Sequence, residues 1–269
     1  MKLAFSNLAW SAADEPAVSE RLRHEGVSGV ELVPSKIWAR APQVPDGAAE
    51  GCAAWWRERG QTIVALQSIF FGRPALSLFG DETPFAEHVE AMARLAQRCG
   101  ARVLVFGAPA NRQRGARELS EAMAVAASLL RRVAERIAPY GVSLCIEPNP
   151  PRYGCDFVTT AAEAAQLAQA VGHEAFGVHL DATALAMSGE TTADALTTVM
   201  PFVRHFHVSE LDLVPVGTSE RVPHAQIGRA LREAGYRGWV SVEMKLRERD
   251  RWATAIPRAA AVARECYLG

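Results

Sequence analysis

The sequence predicts a single-domain (β/α)8 barrel, the TIM-barrel class, over residues 1–269. Eight β-rich segments alternate with eight segments of helical pattern, which is typical of parallel β/α units. Eight such units in a chain of this length close most economically into a barrel. An open doubly wound sheet is the alternative. No GxGxxG or GKS/GKT phosphate loop follows a strand, which argues against it.

The predicted strands are short runs of apolar and β-branched residues bounded by glycine, proline or charged residues. Parallel strands of this kind are covered by helices on their outer face, so the runs are nearly continuously apolar. They extend from Leu3, from Ser28 to Pro34, from Thr62, from Ala101 to Gly107, from Gly141 to Glu147, from Phe176 to Asp181, from Phe202 to Ser209 and from Gly238 to Met244.

Helices are predicted between the strands from their start and stop signals. Thr83-Pro84 and the capping-box pattern Thr160 to Glu163 begin two of them. Glycines suited to helix C-termini follow six of the predicted helices: Gly26, Gly60, Gly100, Gly141, Gly172 and Gly235. The segment from Ser35 to Gly47 is predicted to be a loop over the active face. The predicted helices extend from Pro16 to Glu25, Glu50 to Arg59, Thr83 to Cys99, Leu119 to Ala138, Thr160 to Val171, Thr192 to Val199, Ala225 to Ala234 and Asp250 to Cys266.

Four ionisable side chains occur where predicted strands five to eight end: Glu147, Asp181, His207 and Glu243. In a β/α barrel the catalytic groups lie at the rim formed by the C-terminal ends of the strands. Three carboxylates that converge repel one another, and a divalent cation relieves the repulsion without a proton. Three oxygen ligands and one imidazole suit Mn²⁺, Mg²⁺, Fe²⁺ or Co²⁺ in octahedral geometry better than a structural zinc site.

Each of these residues has an ordinary structural explanation when it is taken alone. A single strand-end acid is commonly a helix cap or a member of an ion pair. A single histidine on a strand is commonly a hydrogen-bonded core residue. Coincidence explains four such residues on four successive strands poorly, so the sequence predicts one metal site.

Six motifs near the strand ends carry a family resemblance: VELVP, ALQSIFFG, IEPNP, HLDA, HFHVSE and SVEMK. With them the chain resembles the xylose isomerase-like TIM-barrel superfamily, the sugar isomerase and epimerase group that also contains the endonuclease IV branch. The resemblance implies a divalent ion on the four residues, Mn²⁺ first, with Mg²⁺, Co²⁺, Fe²⁺ or Zn²⁺ as alternatives. It also implies that Glu147 and Glu243 are the acid/base pair of an enediolate proton transfer.

Two positions depart from the pattern of the ketose epimerases in that family. Those relatives usually have a histidine three residues after the strand-six aspartate, where this chain has Ala184. They tend to have an arginine six residues after the strand-seven histidine, where this chain has Leu213. Both groups contact substrate in the relatives. The resemblance therefore implies a substrate that is less polar on that side, or another contacting group.

Further polar residues near the strand ends are candidate substrate contacts. His179 and His205 each lie two positions before a predicted ligand and so point into the same barrel interior, where a buried structural histidine is the alternative. Glu31 is a candidate of the same kind at the end of strand two. The predicted substrate-binding set is Gln67, Asn149, His179, Glu210, His224 and Lys245.

Aromatic and basic residues leave two further features open. Trp10, Phe70 and Phe71 are candidates for an apolar wall against a sugar face, with core packing as the alternative. A phosphosugar substrate stays open because arginines lie on predicted loops, although solvated charges explain them equally well. These arginines are Arg73, Arg112, Arg114 and Arg221.

The predicted function is a divalent-metal-dependent isomerase or epimerase of a small carbohydrate-like molecule. The alternative is a metal-dependent lyase or dehydratase that uses the same site. Seven histidines in total and a net charge of −1 disfavour an endonuclease IV-like hydrolase and any nucleic-acid partner. A complete ligand set disfavours a non-catalytic sugar-binding barrel.

Composition predicts a cytoplasmic protein with no membrane partner. The five cysteines are scattered and lack CxxC spacing, which is typical of reduced thiols. No apolar run approaches the roughly 18 residues of a membrane helix. The N-terminal MKLAFSNLAW has too short an apolar stretch for a signal peptide. The resemblance leaves a homo-oligomer open.

Overall fold

The fold is a closed barrel of eight parallel strands, which confirms the predicted class. The computed structural model describes residues 1–246 and 251–269. Each strand pairs with the next along the chain, and the last pairs with the first. The strands are β1 Lys2–Ser6, β2 Gly29–Leu32, β3 Thr62–Leu66, β4 Val103–Phe106, β5 Ser143–Ile146, β6 Phe176–Asp181, β7 Val203–Ser209 and β8 Trp239–Glu243.

Helices follow the strands and cover the outside of the barrel. α5 shows how the sequence fixes their orientation, because Ala122, Ala126, Leu130, Val133 and Ile137 are buried at helical spacing. The α-helices are α1 Glu15–His24, α2 Pro34–Ile37, α3 Ala48–Glu58, α4 Glu82–Cys99, α5 Leu119–Ile137, α6 Ala161–Val171, α7 Ala182–Ser188, α8 Ala193–Leu196, α9 His224–Glu233 and α10 Trp252–Ala263.

Some predicted boundaries and caps are wrong. α4 begins at Glu82 because the side chain of Asp81, rather than Thr83, accepts a hydrogen bond at the helix start. The capping box at Thr160 forms only in part: Thr160 accepts from the Glu163 N–H, but the Glu163 carboxylate turns to Thr159. The segment predicted as a loop from Ser35 begins inside the short helix α2.

The last predicted helix also differs. α10 ends at Ala263 and continues as the π-helical turn Arg264–Leu268. The predicted start at Asp250 lies outside the described residues. The helix predicted from Thr192 to Val199 is reduced to the four residues of α8.

Strand register places the predicted ligands at one rim. Asp181 on β6 pairs with His207 on β7, and Ser209 on β7 pairs with Glu243 on β8. Register shifts interrupt the ladders between Val30 and Glu31 and between Val178 and His179. Such bulges re-aim side chains near active sites. Here they precede two residues that lie beneath the ligands.

Two general properties of the described residues bear on the sequence expectations. All five cysteines are free thiols. Among the described helices, none combines the length and the apolar character that crossing a lipid bilayer requires.

Candidate metal centre and active site

A cavity of about 760 Å³ opens at the C-terminal ends of the strands. Glu147, Asp181, His207 and Glu243 all line it, and we call these four residues the floor. One ligand atom from each of Glu147, Asp181 and His207 lies within 4.8 Å of the others. Glu243 joins them through His207, with 3.5 Å between Oε2 and Nδ1.

Glu147 directly follows β5, and neighbouring residues fix its backbone. Its carbonyl accepts hydrogen bonds from Arg112 Nη2 at 2.5 Å and from Asn149 Nδ2 at 3.2 Å. Its side chain fills the space that a Cβ on Gly107 would occupy, since such an atom would lie 1.8 Å from Oε2. Only glycine at position 107 is compatible with this position of the carboxylate.

Asp181 ends β6 and is held through both carboxylate oxygens. Oδ1 accepts from the backbone N–H of Ala184 at 2.8 Å and so caps α7. Oδ2 accepts from the hydroxyl of Ser209 at 2.5 Å. The orientation of this carboxylate is therefore set before any ligand binds.

His207 is oriented from below by a buried carboxylate. Its Nε2 lies 2.8 Å from Glu31 Oε2, and Nε2 of His205 lies 3.2 Å from the same oxygen. Donation from Nε2 to Glu31 leaves the Nδ1 lone pair directed away from that carboxylate. A histidine held by a carboxylate through its other nitrogen is the usual arrangement of a metal-binding imidazole. Nδ1 is buried and has no hydrogen-bond partner among the described residues, although Glu243 Oε2 lies 3.5 Å from it.

Glu243 ends β8 and is positioned by Gln67 at the end of β3. Gln67 Nε2 donates to Oε1 at 2.5 Å, and Oε2 faces His207. Gln67 also lines the cavity, although it is almost fully buried. The predicted strand-three and strand-eight residues are thus in direct contact.

The electrostatics of the floor favour a cation. Burial raises the pKa of Glu147 to about 8, and the carboxylates of Asp181 and Glu243 add to the rise. Burial and Glu243 likewise raise the pKa of Asp181. Burial opposes protonation of His207, but Glu31 and Glu243 outweigh it and raise the pKa of this histidine well above its ordinary value. A divalent ion replaces the protons that these groups otherwise retain. The donor set therefore fits such an ion.

The predicted substrate-binding residues divide into two groups. Gln67, Asn149, Glu210 and Lys245 line the cavity. His179 and His224 are buried and are not part of the cavity wall.

The two histidines have other surroundings. The ring centroid of His179 lies 4.0 Å from that of His207, beneath the floor. His224 Nδ1 lies 2.7 Å from the Tyr267 hydroxyl, and its Nε2 lies 3.4 Å from Glu210 Oε1. Direct contact of either histidine with substrate would require a different arrangement from the one described.

Three of the four loop arginines are bound to the protein's own groups. Arg112 is fully buried and bonds to the Glu147 carbonyl. Arg73 donates to the backbone carbonyl of Ala41, and Arg114 is bound to Asp156. Trp10 packs in the core against Trp56 at a centroid distance of 6.4 Å, whereas Phe70 and Phe71 line the cavity.

Sequence reasoning missed Gly107, Ser209 and the role of Arg112. Gly107 is the last residue of predicted strand four, and this position at a strand end was the one available signal. Arg112 and Ser209 act through contacts with residues 35 and 28 positions away in the chain. Local patterns do not indicate such contacts.

The family described as xylose isomerase-like TIM barrel matches residues 20–266. The chain belongs to this family. This agrees with the resemblance that the strand-end motifs carry.

Two curated relatives match part of the chain, and both are named D-psicose 3-epimerase. The protein from Agrobacterium fabrum is 34% identical over 103 residues, which are 38% of this chain and 35% of the relative. The protein from Ruminiclostridium cellulolyticum is 29% identical over 114 residues, 42% of this chain and 38% of the relative. The matched part thus spans little more than a third of either relative.

Solved structures match over nearly the whole chain. A D-psicose 3-epimerase with D-tagatose from Clostridium cellulolyticum H10 has a TM-score of 0.80 at 18% identity, covering 99% of this chain and 98% of that one. The 3-keto-D-glucoside 4-epimerase of E. coli has a TM-score of 0.78 at 18% sequence identity, and the match covers 99% of this chain and 100% of that one. A protein named IOLI with a bound zinc atom has a TM-score of 0.76 at 19% sequence identity, and the match covers 99% of this chain and 98% of that one. At these identities the likeness supports the fold.

Proposed function

We propose that the protein is a divalent-metal-dependent epimerase or isomerase of a sugar or sugar-like hydroxy-carbonyl compound. The observation that carries the proposal is the convergence of Glu147, Asp181, His207 and Glu243 on one cavity. The two partial relatives and two of the structural neighbours are named as sugar epimerases, which supports the same reaction class. The substrate is proposed to be a small molecule and not a nucleic acid.

The four floor residues are proposed to hold the ion. Mn²⁺ is the first choice because three carboxylates and one imidazole form a mainly oxygen donor set. The structural neighbour with a bound zinc atom supports the proposal of a divalent ion. When bound, the ion supplies a positive charge that stabilises negative charge developing on the substrate oxygens.

Glu147 and Glu243 are proposed to transfer the proton. One carboxylate, ionised, removes the proton from the carbon next to the carbonyl, and the other, protonated, returns it. Oε1 of Glu243 is held by Gln67, which leaves Oε2 to act. Oε2 of Glu147 lies directly next to the backbone of Gly107. Return of the proton to the opposite face of the same carbon gives an epimer, and return to the adjacent carbon gives an isomer.

Exchange of deuterium tests this proposal. Protein reconstituted with Mn²⁺ is incubated with ketohexoses in D₂O, and label is located by mass spectrometry and, after removal of the ion, by NMR. We expect label at a carbon next to the carbonyl. The variant Glu243→Gln is expected to lower the exchange rate about 10²- to 10⁴-fold, since acid–base groups contribute about that much.

A control separates chemistry from folding in that experiment. Glu135→Gln makes the same change on the exposed face of α5, where Glu135 pairs with Arg131, and is expected to leave exchange unchanged. Exchange retained in Glu243→Gln would remove Glu243 from the acid/base role. A product that lacks a β-hydroxyl would instead identify the lyase.

We also propose that the protein is located in the cytoplasm. Its support is the five cysteines, all of them free thiols, three of them buried. Such thiols are typical of proteins that work in a reducing compartment.

A further inference from the structure

The outer part of the cavity differs from the floor in chemical character. Five apolar lining residues are at least partly exposed, and they come from the loops that follow β1, β3, β4 and β7. We call this set the apolar lip: Leu8, Phe71, Ala108, Pro109 and Leu213. Phe71 is 75% exposed, more than any other large hydrophobic residue in the described part of the chain. An exposed aromatic ring at a cavity mouth is a common sign of a binding surface.

Polar side chains near the lip are already bound to the protein's own backbone. Lys36 Nζ donates to two backbone carbonyls at 2.5 Å each. Asn111 Nδ2 donates to two others at 2.8 and 2.6 Å, and Asn149 Nδ2 to two more at 3.1 and 3.2 Å. The side-chain donors of Asn111 and Asn149 are therefore occupied, and Lys36 keeps one of its three hydrogens free. The wall of the cavity presents more apolar than polar surface to a ligand.

Backbone strain is concentrated beside the lip. Four non-glycine residues described in the structure have positive φ angles, and three of them line the cavity. They are Ser68 at 54°, Asp212 at 60° and Leu213 at 55°. Such conformations cost stability and cluster at ligand-binding sites. The loops that carry Phe71 and Leu213 thus adopt strained backbone conformations at the mouth of the cavity.

We propose that the apolar lip is a subsite for an apolar substituent on the substrate. The inference rests on the proposed function: the hydroxy-carbonyl group lies at the floor, and an aryl or alkyl group at the far end of the same molecule lies against Phe71 and Leu213. A cavity of about 760 Å³ is large enough for a drug-sized ligand. The substrate class is a sugar derivative with an apolar substituent, rather than a free sugar.

Three related compounds test the subsite: a free ketohexose, its 6-O-methyl ether and its 6-O-phenyl ether. The full chain with Mn²⁺ is assayed by deuterium exchange, and kcat/KM is compared. We expect the phenyl ether to exceed the methyl ether by about tenfold or more, the scale at which apolar pockets distinguish small groups. Phe71→Ser is expected to bring that ratio close to one. Leu119→Ser is the control, because Leu119 is 37% exposed on α5 outside the cavity, and it is expected to keep the ratio.

Each contrary result has a distinct meaning. Equal kcat/KM for the two ethers, or an unchanged ratio in Phe71→Ser, overturns the subsite and leaves the proposed function intact. Absence of exchange with all three compounds overturns both. A Phe71→Ser variant that changes the sedimentation coefficient but not the ratio assigns Phe71 to contact with a second copy of the chain and also overturns the subsite.

Discussion

The floor of the cavity and the apolar lip hold their side chains in different ways. Three of the four floor side chains are hydrogen-bonded to a side chain from another strand or loop, as Asp181 is to Ser209 and His207 is to Glu31. Glu147 is held through its backbone carbonyl. Phe71 at the lip is mostly exposed, and the backbone next to it is strained. In the proposed mechanism the floor carries out the chemistry, where a small displacement is costly, and the lip selects the substrate.

The largest effect is expected from crowding the floor. In Gly107→Ala the new Cβ would lie 1.8 Å from Glu147 Oε2, so the carboxylate must move. A displacement of about 1 Å at a reacting group can cost about 10²-fold in rate. We expect a loss of that size in exchange rate, with weaker Mn²⁺ binding measured by calorimetry.

A second glycine provides the control. Gly51 lies in α3 with open space around it, so Gly51→Ala is expected to leave activity unchanged and to stabilise the helix by up to about 1 kcal/mol. Full activity in Gly107→Ala would mean that Glu147 is not fixed where the proposed mechanism requires it.

A smaller effect is expected when the support beneath the floor is weakened. Glu31→Gln keeps the shape of the side chain but removes the charge that orients His207. Residues that hydrogen-bond and orient a metal-binding side chain typically contribute about 10- to 100-fold to metal affinity or activity. Mn²⁺ affinity is the readout, with Glu135→Gln on the surface as control. An affinity equal to that of the unaltered protein would show that His207 is oriented by packing alone.

The metal-free protein is expected to lose stability as pH rises. The folded state retains protons on Glu147 and Asp181 above their ordinary pKa, and His207 also keeps its proton to higher pH. Burial lowers the pKa of His179 and of His88, so below about pH 6.5 the unfolded state takes up protons there that offset those retained by the folded carboxyl groups. Between about pH 6.5 and 8 the folded state binds more protons than the unfolded state, and the free energy of unfolding falls by about 1.4 kcal/mol per pH unit for each such proton.

Denaturant unfolding measures this slope. Glu147→Gln removes one titrating group and is expected to make the decline shallower. Mn²⁺ is expected to reverse the trend, because the ion binds the deprotonated ligands. A metal-free protein whose stability rises from about pH 6.5 to 8 would contradict the assigned pKa directions.

The difference between floor and lip also explains what could be predicted from the sequence. Glu147, Asp181, His207 and Glu243 were predictable because parallel strands of a barrel end at one rim, so position along the strand fixes position in space. Gly107 and Ser209 were not, because their roles arise from contacts between strands. The burial of Arg112 was missed because a loop arginine is usually solvated, and its partner is a backbone carbonyl that no motif marks.

The smallest effect is expected at the lip itself. Phe70 and Phe71 are adjacent in the sequence, but Phe70 is 3% exposed and Phe71 is 75% exposed. Phe70→Ser removes a ring that stacks on Phe85 at 5.2 Å, so a loss of about 3–5 kcal/mol in the free energy of unfolding is expected. Phe71→Ser is expected to change it by no more than about 0.5 kcal/mol. Denaturant unfolding at two protein concentrations checks both values. A concentration-dependent loss in Phe71→Ser would indicate that the ring is buried against a second copy, and the lip would then contribute to assembly rather than to substrate choice.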